Sequence, residues 1–126
     1  MPKATDLMGL GLPGPTSAQL GNTPVTLTCA GTTQATAATI PNGCHMFVIA
    51  ATAAANGAIF QTNAPIGTPM YFSVATGASL ATAAIYCQVG GTMNTATNGS
   101  VLIATGKSAI LYQNATSTWI SVPTSP

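Results

Sequence analysis

SVLIATGKSAILYQNATSTWISV, residues 100–122, holds three short runs of β-branched and aromatic residues, parted by the turn Gly106-Lys107 and by the link 115–117. Each run is too short for a stable helix and has the composition of a strand. Within TWISV (118–122) successive side chains must point to opposite faces, so Trp119 and Ser121 oppose Ile120 and Val122. One of those faces is expected to be core.

The same grammar extends backward along the chain. Runs at PVTLTC (24–29), ATAATI (35–40), HMFVIAAT (45–52), AIFQT (58–62), MYFSVAT (70–76) and AAIYCQV (83–89) join SVLIAT (100–105), SAILYQN (108–114) and TWISV (118–122). Gly31, Asn42-Gly43, Asn56-Gly57, the Pro65-to-Pro69 corner, Gly77, Gly90-Gly91, Asn98-Gly99 and Gly106 sit between them and read as turns. No stretch has a helical period, apart from one short turn at Ser17 to Leu20. The expected fold is all-β: a single antiparallel β-sandwich, jelly-roll-like, with an immunoglobulin-like sandwich as the second topology. Thr-x-Thr triplets at Thr26, Thr95 and Thr116 are too scattered to predict a solenoid.

Composition narrows function by exclusion. Of 126 residues 47% are hydrophobic and 2% charged, with net charge +1. An ordinary domain is about a quarter charged. No basic stripe can neutralise phosphates, so no nucleic acid partner is expected. A single Asp excludes the paired carboxylates of glycoside hydrolysis and a carboxylate cage for a divalent cation. Met46 to Phe60 is interrupted by Thr52, Asn56 and Gly57 and is short of a bilayer span, so no membrane partner is expected either. Leu7 to Leu12, broken by Gly9 and Gly11 and followed by Pro13 and Pro15, lacks the core of a secretory signal, which suggests a cytosol-like setting.

Residues with chemical potential are few. Cys29, Cys44 and Cys87 lack a C-x-x-C pair and read as small buried hydrophobes, with a disulfide between two of them left open. His45 is the single histidine, and its neighbour Cys44 would face the opposite way in a strand, so neither a Cys/His nucleophile nor a metal site is expected. Lys107 reads as a solvated turn lysine, and Gly90-Gly91 as a turn and no phosphate cradle. No cofactor and no enzymatic activity are expected. With so little charge to keep copies apart, self-association is expected, as an obligate homo-oligomer and specifically a trimer.

Residues 1–22 differ from the body, being dense in Gly and Pro and holding Lys3 and Asp6. They read as an extended N-terminal arm, ahead of a β-sandwich domain over 23–126. KATDLMGLGLPGPTSAQLGN (3–22), GTTQATAATI (31–40) and GGTMNTATNGSVLIATGKSAILYQNATSTWISV (90–122) resemble small head proteins of tailed bacteriophages. The resemblance covers about half of the chain, and the almost uncharged body departs from it. It implies a capsid decoration or cement subunit on the virion surface, made in the host bacterial cytoplasm, commonly trimeric and bound to the major capsid protein. The arm would then dock through Leu7, Met8, Leu10 and Leu12, with Lys3 and Asp6 fixing its register. A different class is a glycan- or receptor-binding module of a head fibre or tail. There Trp119 would be the sugar platform, against its reading as an interface or core aromatic. An ice-binding surface, suggested by Thr richness, is a third.

Overall fold

The structure, a computed structural model, describes residues 24–50, 56–74 and 82–123. The arm, its residues Lys3, Asp6, Leu7, Met8, Leu10 and Leu12, and the helical turn expected at Ser17 to Leu20 lie outside the described residues. The described chain is all-β, with one short 3-10 turn at Gln34–Thr36. Its strands are β1 (Val25–Thr28), β2 (Ala38–Thr39), β3 (Met46–Ala50), β4 (Asn56–Ile59), β5 (Met70–Val74), β6 (Ala83–Tyr86), β7 (Thr92–Met93), β8 (Ala96–Thr97), β9 (Ser100–Ile103), β10 (Ser108–Ala115) and β11 (Thr118–Pro123).

These strands form two sheets. The large one has the order β1-β3-β5-β10-β11-β7-β8 and the small one β2-β4-β6-β9. From β1 to β6 the chain alternates between them, and every neighbour it meets within a sheet is parallel. This winding is that of a short solenoid with three turns, and it corrects the all-antiparallel, jelly-roll expectation. After β6 the pairing turns largely antiparallel: β7 and β8 form a hairpin, β9 returns beside β6 and β10 returns beside β5. Strand β11 then pairs with β10 as a hairpin.

Why the winding escapes a search for repeats is visible in the register. Val25 pairs with Phe47 and Phe47 with Phe72, while Ala38 pairs with Ala58 and Ala58 with Ile85. The turns of the solenoid thus differ in length, and no single period survives. What recurs is the inward ladder. Leu27, Ile49 and Val74 stack in one column, Phe47 and Phe72 in the next, with ring centroids 4.9 Å apart.

The core lies between the sheets. The large sheet contributes Leu27, Phe47, Ile49, Phe72, Leu111 and Trp119; the small sheet and its flanks contribute Ile40, Ala58, Phe60, Ile85, Cys87 and Ile103. Burying each large side chain here is worth about 1.5–3 kcal/mol. Two features stand against the expected turns and runs. Asn56 and Gly57 are the buried start of β4 instead of a reversal, and Gly57 lies under the Tyr86 ring of the adjacent strand, where a Cβ would meet Cε2 at 2.7 Å. The run 35–40 is divided between the 3-10 turn and the two residues of β2.

Candidate functional site

A concavity among the described residues lies on the outer face of the large sheet. Alternation puts Phe47, Phe72 and Leu111 inward, so their neighbours Met46, Val48, Tyr71, Ser73 and Ile110 point outward. Register then places Met46 beside Tyr71, Tyr71 beside Ile110 and Ile110 beside Val122. Pro24, one residue before the Val25–Phe47 pair, extends the same row at the edge. The result is an apolar row across five strands, bordering a groove of about 470 Å3 lined by Pro24, Met46, Val48, Tyr71, Ser73 and Ile110. Tyr71 is 43% exposed and Val122 46%, so the row faces solvent over much of its length.

Among the described residues no charged side chain lines this groove. The sheet edges are similar: β1 and β8 end the large sheet, β2 and β9 the small one, and none of these four strands carries a charged residue. Strand β9 also presents Leu102, 63% exposed. A strand edge normally carries a Lys, a Pro or a bulge that discourages pairing with another chain.

Trp119 is fully buried, and this removes it as a sugar platform. Its ring stacks on Phe60 at 3.7 Å between centroids, and its Nε1–H donates to Gln88 Oε1 at 2.6 Å. Of the roles read for it, the structure places it in the core. Gln88 is itself buried, and its Nε2 has no hydrogen-bond partner among the described residues.

The other candidates are dispersed. All three cysteines are free. Cys29 and Cys87 are buried in the core, as small hydrophobes would be, and Cys44 is half-buried against it. Burial pushes the Cys29 thiol up to about 11 and raises that of Cys87 as well, and the Cys87 Sγ–H donates to the Gly99 carbonyl at 3.3 Å. Buried thiols in this state are poor nucleophiles. His45 lies half-buried just before β3, its carbonyl accepting from Tyr71 N–H at 2.8 Å. Lys107 is exposed in its turn, where Val74 N–H donates to its carbonyl. Among the described residues no three His, Cys, Asp or Glu gather in a group that could hold a metal ion. Gly90, with φ of 82°, makes the turn expected of it.

Sequence reasoning overlooked the hairpin of β7 and β8. Its turn residues Asn94 and Thr95 both have positive φ, as the mirror-image two-residue turn demands. The Asn94 side chain also clamps β11, accepting from Ser121 N–H at 2.9 Å and donating to Ser121 Oγ at 2.6 Å. Asn94 is the one signal present in the sequence, since the usual Asn-Gly pair is absent.

No family model, curated protein or solved structure matches the chain.

Proposed function

We propose that the chain is a structural virion protein that decorates and stabilises a phage capsid as a homotrimeric cement subunit. The observation that carries this reading is the surface: four sheet edges and one broad sheet face, all free of charge. Such a surface gives a charged ligand nothing to pair with. It gives an equally uncharged protein surface hydrocarbon to cover, at about 25 cal/mol per Å2.

In this reading the β9 edge with Leu102 meets a sister copy, and the resulting trimer presents three arms to the shell. Leu7, Met8, Leu10 and Leu12 fill grooves between major capsid subunits, while Lys3 and Asp6 set the register. Three linked arms bind far more tightly than one, because the second and third attachments are intramolecular. Affinity therefore comes from area and multiplicity, with no catalytic group required.

Removal of residues 1–22 tests the arm. Purified full-length and truncated chains are added to phage heads lacking the protein, and the bound copies are counted by electron cryomicroscopy. The truncated chain is expected to stay folded and trimeric yet leave the heads bare. Coating by both chains at equal occupancy would refute the assignment of the arm, and coating by neither would refute capsid decoration.

A further inference from the structure

We infer that Asn42 is a site of spontaneous covalent modification: in the folded chain its side-chain amide is converted to a carboxylate, ahead of the other two Asn-Gly pairs. The three pairs stand at 42–43, 56–57 and 98–99. The fold treats them differently.

The chemistry starts at the backbone nitrogen of the glycine. Once that N–H has lost its proton to hydroxide, the nitrogen attacks Cγ of the preceding asparagine and closes a succinimide ring. The Cγ–Nδ2 bond breaks and ammonia leaves. Water then adds to either ring carbonyl and reopens the ring, giving aspartate or isoaspartate, with no electrons gained or lost. Glycine favours closure because it has no Cβ to crowd the ring. A glycine N–H already held by a carbonyl reacts only when the surrounding structure opens.

Two of the pairs are held in this way. Gly57 N–H, in β4, donates to the carbonyls of Ala30 and Gly31 at 3.2 and 3.1 Å, and Asn56 is buried. Gly99 N–H donates to the Ala96 carbonyl at 3.1 Å, and the Asn98 side chain is engaged through Oδ1, which accepts from Gly90 N–H at 2.7 Å. Gly43 differs on both counts. Its N–H has no hydrogen-bond partner among the described residues, and it lies exposed in the turn between β2 and β3.

The place of Asn42 in the solenoid gives the conversion a consequence. Asn42 stands at the corner where the chain passes from the small sheet to the large one, and Asn63 stands at the same corner one turn later, between β4 and β5. Asn42 Nδ2 donates to Asn63 Oδ1 at 2.7 Å, a rung between successive turns. A carboxylate at 42 has no N–H to donate, so the rung survives only if Asn63 turns its amide to become the donor. The formal net charge falls from +1 to zero, and Lys107 is no longer the one charged side chain among the described residues. Loss of net charge favours association of copies.

Peptide mapping of the purified full chain tests this. Folded protein is held in mildly alkaline buffer made with heavy-oxygen water, beside a second sample unfolded in guanidinium chloride, and newly formed carboxylates are located by mass spectrometry. In the folded sample Asn42 is expected to convert at least about ten times faster than Asn56 or Asn98. In the unfolded sample the three rates should draw together. Asn42→Gln, whose longer side chain closes the ring slowly, should abolish the early acidic shift seen on isoelectric focusing. Conversion of Asn42 no faster than that of Asn56 or Asn98 in the folded chain would overturn the inference. The same preference in the unfolded chain would overturn it too, because it would then belong to the flanking residues and not to the fold. Persistence of the early acidic shift in Asn42→Gln would count equally against it.

Discussion

At the scale of single residues, the interior depends on polar groups that answer each other. Trp119 Nε1–H and Gln88 Oε1 are both out of water, so removing either leaves the other unpaired. Trp119→Phe deletes the donor and part of the stack on Phe60. Urea unfolding is expected to show a loss of about 2–3 kcal/mol; an unchanged midpoint would mean that the pair contributes nothing. Cys29 gives a second prediction. Its thiol value lies at about 11 in the folded protein against 9.0 ordinarily, so the folded state holds its proton longer than the unfolded chain does. The stabilisation is full below pH 9 and is lost as pH rises from 9 towards 11. Stability of the parent should therefore fall more steeply over that window than that of Cys29→Ala, in paired unfolding curves. Native labelling with iodoacetamide should reach the half-buried Cys44 well before Cys29 or Cys87.

At the scale of elements, the parallel turns of the solenoid depend on how the chain leaves one sheet for the other. Gly31, just after β1, has φ of 66°, and a Cβ there would fall 2.2 Å from Thr36 Oγ1 and 2.5 Å from the Thr36 carbonyl oxygen. Gly90 has φ of 82° but open space around it. Gly90→Ala should cost about 1–2 kcal/mol for its backbone alone. Gly31→Ala should cost clearly more, because the 3-10 turn must also shift; equal losses in thermal unfolding would contradict the crowding. Strand identity was largely legible in the sequence, since alternation in MYFSV and TWISV places Phe72 and Trp119 opposite Tyr71 and Ile120 as found. Pairing was not legible. Whether Phe47 meets Phe72 in parallel depends on the paths between β3 and β5, and local pattern is the same for either direction. The pair Asn56-Gly57 misled for a related reason: a Gly under an aromatic ring in a strand has the same letters as a turn. Of the candidate site, the exposed row follows from strand alternation once register is known, whereas the burial of Trp119 depended on which face of β11 the second sheet covers.

At the scale of the whole molecule, the account is about surfaces without ions. The described residues form two sheets around one core, and neither the edges nor the groove carries a charge. Leu102→Lys, on the β9 edge, should leave the fold intact by circular dichroism while shifting the chain from trimer to monomer. A lysine at Gly90 is no substitute control because of its φ; Val89→Lys, 73% exposed in the parent and outside the edge strand itself, is the proper one and should leave the trimer in place. The most direct measurement is sedimentation equilibrium of the purified full chain at micromolar concentration. A homotrimer gives a mass of three times 12.5 kDa, and that is the result expected. A single species of 12.5 kDa, stable and soluble on dilution, would contradict the claim that this almost uncharged body depends on shared surfaces.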